Sequence, residues 1–417
     1  MKTNALLLHL IPDTDSHSRS GSPLSLRSAL TLRIALCATV AFITHAAPAQ
    51  TWQTVDDFQY VPGAYAVNFG LAVAPSGILY ASGFAADGTN TNHGLVMASA
   101  DGGNTWSAPL DDFVYPGSAT RYDGGIIADS AGNLYVAGEY YFPNGNFHRI
   151  VRRSADGGAS WLTVDDLGVG NYSPFPLAAG ALTADASGNI YATAGYPNTW
   201  AVRKGAGGAN FSTVDSFQPS TSVVNGVFAH PTAGVFAVGY GSIGRSGQAW
   251  MVRRSLDGGA TWSTVDTYQA SSGSAAEAYG ADADVHGNIY VVGRAFAPNK
   301  KTSIGHWQVR KSSNGGASWT TVDDYQPFTS GNQVALGFAA DSNGNLFVAG
   351  WANSGTENYW IVRQNPGGTG NWITVETFSY VLRAEPHAIA ADSLGNIFVG
   401  GQGSPSSGAV HWVVRKN

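Results

Sequence analysis

The 417-residue chain carries 53 glycines, only 12% charged residues, 12% aromatic and 44% hydrophobic residues. That profile excludes a disordered chain and predicts many short strands joined by tight turns, with little helix. The formal net charge of −6 comes with no basic stripe, which excludes a nucleic-acid footprint.

The first 49 residues differ from the rest. Lys2, Arg19, Arg27 and Arg33 precede an apolar run at 34–43, and Ala47, Pro48 and Ala49 place small residues where a signal peptidase reads. The run is far shorter than the roughly 20 residues that span a bilayer, so no membrane span is expected. Leu36 before Cys37 is too large for a lipoprotein cleavage site. We read 1–49 as a secretory signal and 50–417 as the exported protein, periplasmic or extracellular, and expect a monomer. Cys37 is the only cysteine, so the exported part has no disulfide and no thiolate metal site. Its balance of 18 basic and 26 acidic residues is net −8.

Beyond residue 50 the chain repeats itself. Ser255-Leu256-Asp257-Gly258-Gly259-Ala260-Thr261-Trp262 recurs at 99–106, 154–161 and 312–319, with worn copies at 204–211 and 365–372. The two glycines permit positive φ, and the Asp carboxylate can accept loop amides as an Asx-turn. A second signature, Ala-Asp-Ser-x-Gly-Asn followed by an apolar run, is clearest at 128–138 and 340–350. Related copies begin near Ala74, Ala184, Ala229, Ala283 and Ala391. Each is a hairpin signal whose Asp (Asp129, Asp185, Asp284, Asp341, Asp392) is expected to cap the turn.

One repeat therefore holds four strands: in the fifth, strand a near 279–284, b 288–293, c 307–310 and d 319–321. Four-stranded units of this length, repeated in tandem, predict a β-propeller, here all-β with seven four-stranded blades. The ends fit that count. Residues 51–55 read as a strand d with no blade before it, and 411–415 as a strand c with no strand d after it. Their pairing would close the ring and leave no open edge.

Ser-x-Asp-x-Gly-x-Thr-Trp resembles the Asp-box, the bacterial neuraminidase repeat, and the likeness covers 51–417. It implies a propeller whose Asp-box turns sit between strands c and d, on the rim opposite the usual binding face. Asp-boxes look to be shared by sialidases, xyloglucan-cleaving hydrolases, sortilin-type receptors and photosystem assembly factors, so fold analogy does not choose an activity. The sialidase pattern requires Arg-Ile-Pro. Here Arg-Ile occurs only at Arg33-Ile34 and at Arg149-Ile150, the latter followed by Val151. The missing motif and the seventh blade count against sialidase chemistry.

The repeats act as an internal control: a residue shared by the copies answers a structural need. The pairs Asp56-Asp57, Asp111-Asp112, Asp165-Asp166 and Asp323-Asp324 recur after each strand d and are read as strand-end turns. Arg152, Arg203, Arg253, Arg310, Arg363 and Arg415 fill one slot on strand c and are read as aliphatic stems with solvated heads. Asp101, Asp156 and Asp257 are read as turn caps rather than calcium ligands. The histidines His93, His148, His230, His286, His306, His387 and His411 are scattered, with no metal motif, and no cofactor motif is present.

The irregular residues lie in the d–a and b–c loops, on one face. Seven residues before the hairpin Asp stand Tyr122, Ala178, Val223, Glu277, Val334 and Glu385, with Arg121, Asp123, Arg383 and His387 nearby. After strand b stand Phe84, Glu139, Tyr196, Tyr240, Arg294, Trp351 and Gln402. The aromatic rings could stack on sugars or fill peptide pockets. Glu277 and Glu385 could face one another across the channel mouth as the acid and base of a glycoside hydrolase, with Arg383 and Arg121 orienting an anionic substrate. The leading reading is a binding module for an extracellular glycan or protein through Arg121, Tyr122, Asp123, Arg383, His387, Phe84, Glu139, Tyr196, Tyr240, Arg294 and Trp351. A polysaccharide-active enzyme using Glu277 and Glu385, and an assembly or scaffold factor, are the alternatives.

Overall fold

The computed structural model describes residues 51–171, 180–194, 199–218, 221–242, 247–296, 304–406 and 408–417; the expected signal segment lies outside them. The described residues form antiparallel sheets in chain order. The first is built from Ala66–Val73, Leu79–Ala86, Asn92–Ser99 and Asp111–Phe113. In the second, the inner strand is split into Ala119–Arg121 and Ile126–Ala128, followed by Leu134–Tyr141, Asn146–Ser154 and Leu162–Asn171. The third comprises Leu182–Ala184, Ile190–Thr193, Trp200–Ala206 and Ala209–Phe217. Ser222–His230, Gly234–Ser242, Gln248–Ser255 and Ser263–Tyr268 make the fourth. Ala276–Ala283, Ile289–Phe296, Gly305–Ser312 and Thr320–Tyr325 make the fifth, with strands longer than the sequence pattern suggested.

The last sheet is eight-stranded. One half is Gln333–Ala340, Leu346–Asn353, Asn358–Asn365 and Ile373–Phe378; the other is Arg383–Ala391, Ile397–Ser404, His411–Lys416 and Gln53–Phe58. A single parallel bridge, Asn358 to Arg383, joins the halves. Within the second half the first and last described strands pair antiparallel, Thr54 opposite Arg415 and Phe58 opposite Trp412. The inner strand of each four-strand series touches the inner strand of the next, and Arg383–Ala391 returns to Ala66–Val73. The ring is a β-propeller.

The turns do what their residues allow. In the turn at 99–106, Asp101 Oδ1 accepts the Ser99 hydroxyl and the Thr105 amide, both at 2.8 Å, and Oδ2 accepts the Thr105 hydroxyl at 2.6 Å. Those bonds hold Asp101, Asp156 and Asp257 down to a pKa of about 2, each led by the hydroxyl donor in the loop. The hairpin aspartates cap as expected: Asp129 accepts the Ala131 and Asn133 amides at 2.9 Å.

Two contacts hold sheet to sheet. The strand-c tryptophans Trp250, Trp307 and Trp412 are fully buried and each lies against a strand-b glycine of the following sheet. A Cβ at Gly293 would stand 2.6 Å from the Trp250 ring and 2.1 Å from the Glu277 carbonyl oxygen, so only glycine admits the indole. The second contact corrects two expectations. The strand-c arginines do not carry solvated heads, and the aspartate pairs do not sit in turns. Arg253 grips Asp215 of the preceding sheet through Nε at 2.7 Å and Nη2 at 2.9 Å. The same fork joins Arg152 to Asp111, Arg203 to Asp165, Arg310 to Asp266 and Arg363 to Asp323. Glu376 takes the acid's place for Arg415. Five of the six guanidiniums also cover a ring of the preceding strand d, as Arg363 does Tyr325 at 3.8 Å, while the residue in that place for Arg203 is Leu167. The second aspartate of the pair meets a strand-c histidine: His93–Asp112, His148–Asp166, His306–Asp324 and His411–Asp57. Those four histidines share one slot and are not scattered.

The seam where the closing strand meets the first sheet breaks the pattern. There the acid is Asp56 and the arginine slot holds Met97. One Asp56 carboxylate oxygen is buried without a hydrogen bond, and burial, with the Asp57 charge adding to it, pushes the Asp56 pKa up to about 7. A raised acid binds protons more tightly when folded, so stability falls as pH rises from about 4 to about 7 and is level above. Asp56→Asn should flatten that slope in urea titrations across pH, gaining up to about 4 kcal/mol at pH 8; an unchanged slope would mean that Asp56 is not the group that titrates. At an ordinary seam, Arg253→Met should cost about 3–5 kcal/mol because Asp215 is left buried and unpaired. Adding Asp215→Val should recover most of that loss; a double variant as unstable as the single one would rule out an unpaired charge as the cause.

Candidate functional site

On four inner strands of the ring, and again at His387, one extra residue is inserted. The register shifts fall between Asn68 and Gly70, Val224 and Gly226, Ala278 and Gly280, Ala335 and Gly337, and Pro386 and Ala388. The inserted residues are Phe69, Asn225, Tyr279, Leu336 and His387, always five before the hairpin aspartate or its equivalent. A bulge of this kind leaves its residue outside the ladder and re-aims the side chain. Of these, sequence reasoning singled out only His387. The slot's variability was the available signal, but strict alternation along the strand hid it.

The bulges gather several expected residues into one constellation across the end of the eight-stranded sheet and the first two sheets. The His387 ring stacks on Phe69 at 4.4 Å and 15°, Phe69 on Phe84 at 5.8 Å, and Phe84 on Tyr65 at 5.8 Å. Tyr65 is 38% exposed, and Phe84 lies beneath it at 5%. Arg121 stands over the Phe84 ring at 4.9 Å and over Tyr141 at 5.0 Å. Beside the stack, Glu385 accepts Gln402 Nε2 at 2.8 Å and Asn358 Nδ2, and pairs with Arg383 at 2.6 Å. The Arg383 side chain is half exposed. Burial raises the Glu385 carboxyl, but the Arg383 hydrogen bond and charge, with His387 and Gln402, outweigh it and hold it below its usual range. Burial pulls His387 down to about 4, against the Glu385 charge, so its imidazole is neutral at pH 7.

Deeper on the same side, Arg149 binds Glu139 at 2.8 Å and lies 3.8 Å from Asp123. Burial and the Asp123 charge push Glu139 up to about 8, although Arg149 and Arg121 oppose them. Glu139 and Asp123 are 2% and 1% exposed, so they support the site from below and do not open onto it. Tyr122 is a correction. It is fully buried, and its hydroxyl donates to Asp111 at 2.6 Å, within the Arg152 bridge.

Glu277 belongs to a separate cluster between the fourth and fifth sheets. Its carboxylate accepts Gln248 Nε2 at 2.8 Å, Arg294 Nε at 2.7 Å and the Tyr279 hydroxyl. At half-buried Tyr240, burial first and then the Glu277 charge raise the hydroxyl pKa, with Arg294 opposing. The strands of 333–378 stand between the Glu277 and Glu385 clusters. Trp351 is half-buried opposite Val334 and Trp360 and joins neither. Tyr196 lies outside the described residues. No helix among the described residues is long and apolar enough to cross a membrane.

No family model matches the chain, and none of the curated proteins does. Solved structures do resemble it. Two structures of an ulvan lyase, described as a new polysaccharide lyase family PL25, share 10 and 11% identity at TM-scores of 0.51 and 0.50, covering 86% of this chain and 95% of theirs. A Penicillium chrysogenum α-L-arabinanase is 16% identical, covering 88% of this chain and 98% of its own, at a TM-score of 0.49. At such identities the likeness to the lyases is one of fold.

Proposed function

We propose that the chain is an exported seven-bladed propeller, the eight-stranded sheet counting as two blades, that binds a glycan on its d–a and b–c loop face. One observation carries the reading: the exposed Tyr65 ring caps the Phe84–Phe69–His387 stack beside half-exposed Arg383. A flat aromatic face bordered by charge-bearing donors suits a pyranose, whose C–H surface packs on rings while its hydroxyls or carboxylates meet the rim. The ulvan lyase bound to -[GlcA(1-4)Rha3S]- makes anionic polysaccharides the first class to screen. Hydrolysis by Glu277 and Glu385 is the weaker reading. It needs two carboxyls facing one cleft, and these two belong to separate clusters with the strands of 333–378 between them.

Binding of purified protein to a panel of neutral and acidic polysaccharides tests this. Tyr65→Ala and Arg383→Ala should each weaken the best ligand at least about tenfold, roughly 1.4 kcal/mol, with little change in Tm. Tyr122→Phe should do the reverse, costing about 1–2 kcal/mol of stability by leaving Asp111 a donor short, with affinity unchanged. Binding that ignores Tyr65 and Arg383 would sink the site; chain shortening of the bound glycan that stops in Glu277→Gln and Glu385→Gln would favour the enzyme. Export is tested separately: the protein recovered from the culture medium or periplasm should begin at Gln50, and one retaining residues 1–49 would refute the signal.

A further inference from the structure

The inner strands surround a solvent-open cavity of about 270 Å³ on the ring axis, to whose lining Leu71, Leu182, Phe228, Phe338 and Ile389 contribute apolar side chains. Three polar side chains reach it: Thr183, Asp282 and His387. The Thr183 hydroxyl is occupied by the Ala229 amide at 3.1 Å. His387 is neutral at pH 7 and its buried Nε2 has no protein partner. Asp282 Oδ1 accepts only the amide of its own neighbour, Ala283, at 2.7 Å. No lysine or arginine among the described residues lines the cavity, so the protein supplies no counter-charge there.

The other repeats show that the fold does not require an acid at this place. Two residues before the hairpin aspartate or its equivalent, the remaining inner strands carry Ala72, Ile127, Thr183, Phe228, Ala339 and Ala390. Asp282 is partly buried, and drawing a lone carboxylate out of bulk water is costly unless something pairs with it. Burial does push Asp282 up to about 6, the Ala283 amide opposing, which still leaves it mostly ionised at pH 8. A bare, strongly hydrated metal ion would find one carboxylate where it needs several oxygen ligands. A cation carrying its own apolar body matches both the charge and the walls.

We propose that the axial cavity binds a small primary alkylammonium ion, with its ammonium on Asp282 and its hydrocarbon against the apolar walls. The volume is just below the usual range of ligand pockets and suits a molecule of a few heavy atoms. This site shares His387 with the base of the stack under the glycan face, but Tyr65 and Arg383 have no part in it.

Calorimetry at pH 8 with n-butylammonium chloride, 1-butanol and ammonium chloride tests the proposal. The expected result is saturable 1:1 binding of butylammonium, at least tenfold tighter than either of the others. Asp282→Asn should lower that affinity at least tenfold. Asp282→Ala should do the same, and its fold is safeguarded by the alanines in the same slot of three other strands. Retention of glycan binding by both variants would separate the two sites. Equal binding of butylammonium and butanol, equal binding of butylammonium and ammonium, or wild-type affinity in both variants would overturn the proposal.

Discussion

The contact on which the ring depends is the fork of a strand-c arginine onto a strand-d carboxylate of the preceding sheet, roofed by that strand's aromatic ring. A four-stranded sheet of this size cannot bury both faces alone, so its stability comes from its neighbours. Apolar packing supplies most of that, through the tryptophans lodged over glycines, but apolar packing tolerates sliding. The fork fixes register, because two N–H groups must meet two oxygens in one plane. It is an expensive device: burial raises Asp266 and Asp323 in spite of the guanidinium beside each. A buried ion pair of this kind roughly breaks even in stability, and its gain lies in the arrangement it specifies.

The closing seam shows the same logic in its exception. The strand Gln53–Phe58 is held in its own sheet by pairing with His411–Lys416, and Arg415 reaches Thr54 at 2.8 Å. Across the seam to the first sheet, Met97 fills the arginine slot with hydrocarbon while Asp56 keeps the acid. Trp412 against Gly83 is retained there, so the apolar half of the contact survives without the ionic half. The ring is thus closed by pairing and packing, with one carboxylate left over.

Much of this architecture was legible because it is repeated. The hairpin turns and the double-glycine turns are short-range hydrogen-bond circuits whose donors and acceptors sit within four residues, so spacing alone reveals them. The chain-end pairing follows from counting strands. Contacts between sheets were not legible in the same way. Arg253 and Asp215 are 38 residues apart, and each taken alone resembles a surface charge. The information was nonetheless present: histidine appears at 93, 148, 306 and 411 where the second residue of the strand-d pair is aspartate. Thr199, Ala249 and Tyr359 stand there where it is Ser216, Thr267 or Thr377. Tyr122 was misread because its slot holds a glutamate in two other repeats, whereas here the split inner strand turns the ring inward onto Asp111.

The bulges explain why the variable residues cluster where they do. A ladder position on an inner strand faces a neighbouring sheet and is bound to the needs of the ring. A bulged position is released from the ladder, so Phe69, Asn225, Tyr279, Leu336 and His387 can differ without disturbing any seam. Among them only Phe69 and His387 meet ring to ring, and they do so where an exposed tyrosine and a half-exposed arginine complete the surface. Tyr279 instead turns to Glu277, and Asn225 donates to the Ala278 carbonyl at 2.7 Å. A ring of equivalent slots has therefore been made unequal: on one side its free side chains stack on one another, and elsewhere they are tied to the strand beside them.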